Sequence, residues 1–237
     1  MNWKSLLSPA RSGQSVKAIA EQTRSAFEQD FDRIIFSHPF RKLQDKTQVH
    51  PLPEHDFVHT RLTHSLEVSS VGRSLGRKVG EVILQRYPDL KSHHSSADFG
   101  AIVAAAALTH DIGNPPFGHA GENAISDFFS SSPIGNQYKA HVSEQEWADL
   151  CRFEGNAQGF RLLNKNQFGL KLTAATMGAF TKYPCAAHFP SRDTRKRSQK
   201  KFGFFSRKKM HFAISPAISG YWKHLPMPGA GIHLHSW

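Results

Sequence analysis

The spacing of apolar residues predicts helices along most of the chain before residue 165. Apolar side chains recur at intervals of three and four over Lys17–Ser37 and again over Arg61–Gln85, which is the period of a helix with one buried face. Asp98–Thr109 is an alanine-rich apolar run, and Glu122–Phe129 and Glu144–Leu163 are further helical segments. No alternating strand pattern of any length precedes residue 165. We therefore predict an all-α fold in which the helices pack as a bundle.

Turn-forming residues separate these helices and dominate the end of the chain. A loop is predicted over Asp45–Asp56, a polar linker at Ser92-His-His-Ser-Ser and a sharp break at Gly113-Asn-Pro-Pro-Phe-Gly. An exposed basic loop is predicted from Thr181 onward, and from Ser206 no apolar period survives. The sequence thus predicts one domain over residues 1–205 and an irregular tail over residues 206–237.

Composition narrows the class of protein. The formal net charge is +11, and after Glu154 the only acidic residue is Asp193. This excess is either a solvated basic surface or a site for an anionic partner, such as a nucleotide phosphate or a nucleic acid. Two cysteines define no disulfide framework and fit a reducing cytosol, so a cytoplasmic protein is expected. No apolar segment is long enough to span a membrane, and we do not expect the protein to bind to one.

The pair His110-Asp111 is the first candidate for chemistry, because it ends the apolar run of the central helix. Imidazole and carboxylate groups together bind divalent metal ions, and His64 in another helix would supply a third ligand. Adjacent helical residues diverge by about 100°, so both can reach one ion only at a helix end, which Gly113 provides. The competing interpretation is a helix C-cap with a hydrogen-bonded histidine.

His119 and Glu122 form a second candidate pair. They are three residues apart and share a face once a helix begins. Beside a metal, the carboxylate would orient and charge the imidazole for proton transfer. The alternative is a first-turn carboxylate that stabilises a helix N-terminus. Arg61, three residues before His64, is either a phosphate clamp or an ordinary surface arginine.

Four blocks of sequence carry a resemblance to a known family. They are Phe40-Arg-Lys-Leu-Gln-Asp-Lys-Thr-Gln-Val, His59-Thr-Arg-Leu-Thr-His-Ser-Leu-Glu-Val, Leu108-Thr-His-Asp-Ile-Gly-Asn-Pro-Pro-Phe-Gly-His-Ala-Gly-Glu and Phe153-Glu-Gly-Asn-Ala-Gln. In this order they resemble the bacterial deoxyguanosinetriphosphate triphosphohydrolases of the HD-domain superfamily. Lys201-Phe-Gly-Phe-Phe is similar to a further family block.

The resemblance implies an all-α HD domain that hydrolyses dGTP or another dNTP to deoxynucleoside and triphosphate, by attack of water on the α-phosphorus. It implies a divalent ion, Mg²⁺ or Mn²⁺ or another transition ion, and a homo-oligomer; single-stranded DNA is a further expected partner. By the family pattern, the metal ligands are His64, His110 and Asp111. The catalytic pair is His119 and Glu122, and the substrate-binding residues are Arg61, Gln48 and Asn114.

The chain departs from the family pattern after about Phe205. The family has a further aspartate ligand on a later helix, which this sequence lacks, and its members are much longer. A codon set for Gly229–Trp237, read in a neighbouring frame, encodes the Trp-Cys-Arg-His-Pro-Leu-Ala-Phe-Leu stretch that precedes that aspartate in the family. We therefore predict a truncated, frameshifted product with impaired hydrolysis. The alternative is a catalytically dead HD module that binds nucleotide or single-stranded nucleic acid.

Overall fold

The computed structural model describes residues 2–11, 24–48, 59–165, 169–186, 195 and 200–205. No strand occurs in these ranges, where extended backbone pairs only in three isolated bridges. The all-α prediction is therefore confirmed. Short 3₁₀ turns lie at Lys42–Asp45, Pro88–Ser92 and Tyr138–His141. The α-helices are α1 (Trp3–Leu6), α2 (Ala26–Ile35), α3 (His38–Arg41), α4 (Arg61–Arg86), α5 (Ser96–Thr109), α6 (His119–Ser131), α7 (Pro133–Gln137), α8 (Glu144–Cys151), α9 (Gly155–Asn164) and α10 (Ala174–Phe180).

Helices α4 and α5 pack closely as an antiparallel pair because small residues line their interface. A methyl group on Gly76 would lie 2.8 Å from the Phe99 carbonyl oxygen, and one on Gly80 would lie 2.9 Å from the Phe99 ring. The Ser69 hydroxyl crosses the interface and donates to the carbonyl of Ala104 at 2.9 Å. Both helices carry candidate metal ligands at the same end of the pair, since His64 is near the start of α4 and His110 follows α5.

The main core joins the α5 end of this pair to α2, α3, α9 and α10. Its members are apolar side chains with at most 7% exposure. They include Ile34, Phe40, Leu43, Leu108, Ile112, Phe160, Leu163, Leu170 and Leu172. The core therefore lies directly beneath the turn that carries Asp111.

A buried ion pair between Arg11 and Asp30 attaches the N-terminal segment to α2 and α10. Their side chains are 2% and 0% exposed. Asp30 also accepts hydrogen bonds from the backbone N–H of Thr173 at 2.9 Å and from its hydroxyl at 2.7 Å. Arg11 donates to the carbonyl of Ala26 at 2.7 Å, so both charges are fully bonded.

Two predicted helices have different bounds. Helix α2 begins at Ala26, because Ser25 and Glu28 form a capping box there, and residues 17–23 of the predicted helix lie outside the described ranges. The predicted single helix over Glu144–Leu163 is divided. Helix α8 ends at Cys151 and α9 begins at Gly155, whose N–H donates to the Glu122 carboxylate instead of to a helical carbonyl.

The predicted exposed basic loop from Thr181 has buried flanks. Tyr183, Cys185 and Phe202 are 9%, 3% and 4% exposed, and Ala186 pairs with Phe204 in an isolated bridge. The predicted tail over residues 206–237 lies outside the described residues. Among the helices that are described, none is both long and apolar enough to cross a membrane.

Candidate active site

His64, His110 and Asp111 come together at one end of the α4–α5 pair. One candidate ligand atom from each lies within 4.8 Å of the other two. The His64 and His110 rings are 5.2 Å apart between centroids, and Nε2 of His110 lies 3.5 Å from Oδ1 of Asp111. Asp111 is buried, and both histidines are partly exposed. The structure thus brings together the three predicted metal ligands.

His110 caps α5 and keeps one ring nitrogen available for a ligand. It is the C-cap residue of α5, and its Nδ1 lies 2.7 Å from the carbonyl oxygen of Ala107. Because a carbonyl accepts only, Nδ1 carries the hydrogen in the neutral ring, and Nε2 keeps a lone pair. The bond that caps the helix therefore also selects the tautomer that a metal ligand needs.

The Asp111 carboxylate is held by two side chains. Arg61 Nη1 donates to Oδ2 at 2.8 Å, and Asn114 Nδ2 donates to Oδ1 at 2.6 Å. The Arg61 and Asp111 side chains are 9% and 8% exposed, so Arg61 is not an ordinary surface arginine. These two hydrogen bonds fix the orientation of the Asp111 carboxylate beside His64 and His110.

The donor set fits a divalent ion. Ligand bonds of about 2.0–2.2 Å place two ligands on opposite sides of one ion up to about 4.4 Å apart, which is twice the longest bond length. The observed separations of up to 4.8 Å need only a small inward movement of the three side chains. In the described part of the chain these three residues are the candidate protein ligands.

His119 and Glu122 form a direct pair beside this cluster. Nδ1 of His119 lies 2.7 Å from Oε2 of Glu122, and the His119 side chain is 80% exposed whereas that of Glu122 is 10% exposed. Glu122 lies in the first turn of α6, as the capping interpretation predicts, but its Oε1 accepts the N–H of Gly155 at 2.8 Å. Its hydrogen-bond partners are therefore His119 and the first residue of α9.

The turn before α6 needs left-handed backbone at two successive residues. Phe117 has φ +63° and Gly118 has φ +54°. A side chain at Gly118 would be strained by this φ, and its Cβ would lie 3.3 Å from Nη2 of Arg61. The glycine therefore lets the turn pass close to Arg61 and carries His119 toward the cluster.

Gln48 and Lys46 join the site through backbone pairing with the start of α4. The Gln48 N–H donates to the His59 carbonyl at 3.1 Å, and the Arg61 N–H donates to the Lys46 carbonyl at 2.9 Å. Oε1 of Gln48 and Nε of Arg61 are buried and have no hydrogen-bond partner within the described ranges. An unbonded buried polar atom costs about 1–3 kcal/mol, so both atoms are candidates to meet a polar ligand.

Lys46 was not among the predicted site residues. Its Nζ donates to the Asn114 carbonyl at 2.7 Å. Burial lowers the pKa of the Lys46 ammonium, Arg61 and Lys42 lower it further, and Asp111 opposes them. The residue lies in the Lys46-Thr-Gln-Val block, which signalled its place in the sequence but not its proximity to Asp111.

Glu154, Gly155 and Lys201 were also missed. Lys201 Nζ lies 3.1 Å from Glu154 Oε1 and 3.8 Å from Glu122 Oε2. A methyl group at Gly155 would lie 2.3 Å from Asn114 Oδ1 and 2.8 Å from Glu122 Oε1. The blocks that begin at Phe153 and Lys201 can be recognised in the sequence, but their proximity to Glu122 depends on the fold.

The chain is similar in sequence to known proteins over most of its length. The chain matches the HD domain over residues 61–151. It is 49% identical over 189 residues to a deoxyguanosinetriphosphate triphosphohydrolase-like protein of Pseudomonas aeruginosa, with 78% of this chain and 42% of the relative covered. It is 48% identical over 218 residues to a protein of the same description from Synechocystis, with 88% and 49% covered.

A third relative has a more specific description. The deoxyguanosinetriphosphate triphosphohydrolase of Cronobacter sakazakii is 40% identical over 225 residues, with 82% of this chain and 44% of the relative covered. The chain therefore spans slightly less than half the length of the curated relatives it matches.

Proposed function

Because the chain belongs to the deoxyguanosinetriphosphate triphosphohydrolase-like family of HD-domain proteins, we propose that it carries a metal-dependent dNTP triphosphohydrolase site. The reaction would consume water and a dNTP, with dGTP favoured, and would release deoxynucleoside and triphosphate. The bond that breaks joins the α-phosphorus to the 5′-oxygen, and water oxygen forms the new bond to phosphorus.

One observation carries this proposal, namely the physical link between the His/His/Asp cluster and the His119–Glu122 pair. Asn114 donates to Asp111 through Nδ2, and its Oδ1 and Glu122 Oε1 both face the space at Gly155. A cation-binding cluster and a proton-transfer pair thus share one loop between them. Phosphoryl transfer needs both functions, because phosphate charge must be offset while protons move.

Within this proposal, His64, His110 and Asp111 hold the ion, for which the two imidazoles favour Mn²⁺ over Mg²⁺. When bound, the ion supplies charge stabilisation to phosphate oxygens and lowers the pKa of water. Three protein ligands in the described part of the chain predict weak metal affinity and slow turnover.

The other residues act on the substrate directly. Arg61 offers Nε and its second terminal nitrogen to phosphate oxygens, and Lys46 adds a second positive charge nearby. Gln48 Oε1 is free to accept a hydrogen bond from a sugar hydroxyl. His119 uses Nε2 for proton transfer, because Nδ1 is bonded to Glu122.

The test is product analysis with isotope-labelled water. The purified chain is incubated with each dNTP and Mn²⁺ or Mg²⁺ in ¹⁸O-water, and the products are separated and weighed. We expect deoxynucleoside and triphosphate, with the label in triphosphate. His119→Asn should abolish release, while the exposed His38→Asn variant serves as the matched control. Release of monophosphate and pyrophosphate would contradict the proposed bond cleavage.

A second candidate function is binding without hydrolysis, which the net charge of +11 favours. Most of the basic residues between 195 and 209 lie outside the described ranges. Salt-dependent binding of single-stranded DNA in the absence of triphosphate release would support this candidate. The mass in solution would test the expected homo-oligomer in the same preparation.

A further inference from the structure

The Glu122 carboxylate is enclosed by a segment distant in sequence. Oε1 accepts the Gly155 N–H at 2.8 Å, and Oε2 faces His119 Nδ1 at 2.7 Å. Glu154, the residue before this donor, is a second buried carboxylate with 6% exposure, compared with 7% for Glu122. Two buried carboxylates so close together need compensating positive charge.

Lys201 supplies that charge to both groups. Its Nζ is 3.1 Å from Glu154 Oε1 and 3.8 Å from Glu122 Oε2, and its side chain is 28% exposed. Glu154 Oε1 also accepts a hydrogen bond from Asn156 Nδ2 at 2.7 Å. The cluster therefore has two negative charges and one positive charge, and a protonated His119 would bring the sum to zero.

The fold fixes the position of Lys201. The thiol of Cys185 donates to the Lys201 carbonyl at 3.0 Å, and the Gly203 N–H donates to the Cys185 carbonyl at 3.0 Å. Phe202 packs with Cys185 and Ala157, and Ala157 lies in the first turn of α9. The ammonium is thus held against the same segment that binds Glu122.

We propose that Glu154 and Lys201 act as a positioning pair that sets how much of the Glu122 charge acts on His119. This inference rests on the proposed role of His119 and Glu122 in proton transfer. Since the ammonium lies nearer to Glu154, Glu154 draws it away from Glu122 and leaves the Glu122 charge available to the imidazole. Neither residue of the pair needs to contact the reacting atoms.

The other charged groups around the couple stay constant in the test. Arg61 approaches the turn at Gly118, and α6 itself carries Asp127. Helix α8, which packs against α6, carries Glu144, Glu146 and Asp149, and is followed by Arg152. These groups contribute the same background field to every variant.

The experiment is an NMR titration of the His119 imidazole in the metal-free, substrate-free protein. Lys201→Met leaves both carboxylates uncompensated, so the titration midpoint should move to higher pH than in the wild type. Glu154→Gln releases the ammonium toward Glu122, so the midpoint should move to lower pH. Lys200→Met is the matched control, because it removes one exposed charge next to Lys201 and should shift the midpoint less.

Opposite movements of the midpoint, with Lys201→Arg close to the wild type, would support the positioning pair. Unchanged midpoints, or movements in the same or the reversed directions, would overturn it. If Lys201→Met fails to fold, the isosteric Glu154→Gln variant decides alone, by a movement to lower pH or its absence. Because no turnover is measured, the result stands apart from the proposed hydrolysis: a chain without dNTP hydrolysis can still show these shifts.

Discussion

Substitution of Gly155 by alanine tests whether this residue links the His/His/Asp cluster to the His119–Glu122 pair. The new Cβ would lie 2.3 Å from Asn114 Oδ1 and 2.8 Å from Glu122 Oε1. Both atoms are at the ends of flexible side chains and can move aside, and the Asn114 Cα at 3.3 Å requires only a small backbone shift. Gly155→Ala should therefore disturb the site more than the fold.

The magnitude follows from the contacts that must change. Accommodating one extra methyl group costs about 1–3 kcal/mol, and a weakened hydrogen bond from Gly155 N–H to the Glu122 carboxylate adds part of its net value of about 1.5–3 kcal/mol. We expect a loss of about 2 kcal/mol in the free energy of unfolding. Displacement of Asn114 removes a hydrogen bond to Asp111, and loss of such a supporting contact lowers metal affinity about 10–100-fold.

Two other glycines provide the comparison. A methyl group at Gly113 would lie 2.0 Å from the Gly155 carbonyl oxygen and 2.1 Å from the Gly159 nitrogen, both backbone atoms. Gly113→Ala should therefore force α9 away and cost more than about 3 kcal/mol. At Gly72 the nearest atom would be a side-chain methyl of Val103 at 3.3 Å, so Gly72→Ala should be neutral or slightly stabilising.

The assay combines urea unfolding with calorimetric titration of Mn²⁺ for all three variants. Gly155→Ala should remain folded and bind Mn²⁺ more weakly, whereas Gly72→Ala should match the wild type in both measurements. Wild-type Mn²⁺ affinity in Gly155→Ala, or a loss of stability as large as that of Gly113→Ala, would contradict a linking role for Gly155.

Three further predictions concern charges. Burial lowers the pKa of His94 below its ordinary value of 6.5, against the opposing charge of Asp98. As the pH falls below about 6.5, His94 is therefore protonated in the unfolded chain before it is protonated in the folded protein, so the free energy of unfolding decreases with falling pH. Urea unfolding of His94→Gln should show a weaker pH dependence. Asp30→Asn should cost about 3–5 kcal/mol in urea unfolding, because it leaves the Arg11 charge buried without a partner. Arg61→Met should lower the free energy of unfolding of the metal-free protein by a similar amount. Mn²⁺ should restore part of this stability, because the cation replaces the positive charge beside Asp111. An equal loss of stability with and without Mn²⁺ would argue against a cation site.

Local patterns predicted the elements whose causes are local. Helix α4 follows the predicted bounds closely, since Thr60 caps it. Its predicted buried face is wrong, because the close approach of α5 requires small side chains at the interface: Ser65, Ser69, Gly76 and Gly80 are buried, whereas Leu66, Val71, Leu75, Val79 and Val82 are 40–61% exposed. Helix α5 extends two residues further toward the N-terminus than predicted, where Ser95 and Asp98 form a capping box. The break after His110-Asp111 is confirmed, because successive glycines and prolines exclude a helix there.

Long-range contacts account for what the sequence did not predict. Glycines at 155 and 159 weakened the prediction of a single helix over Glu144–Leu163, but they did not locate the break at Arg152–Glu154. That break places the Gly155 N–H against Glu122, a residue in α6. The same holds for Lys201, whose position depends on the burial of Phe202 against Ala157 and Cys185. A pattern of apolar positions predicts a helix, but it does not identify the distant carboxylate that the segment contacts.

The competing interpretations of the candidate residues were not true alternatives. His110 caps α5, and the bond that does so prepares Nε2 as a ligand. Glu122 lies in the first turn of α6, where a carboxylate is favoured by the helix dipole, and it also holds His119. For Arg61 the alternatives were a phosphate clamp and an ordinary surface arginine. Side-chain exposures of 9% for Arg61 and 8% for Asp111 exclude the surface arginine, and the phosphate clamp stays a prediction. A polar residue at a helix end is therefore best judged by which of its atoms remain available after capping: Nε2 of His110 does, and so does the outer nitrogen of His119.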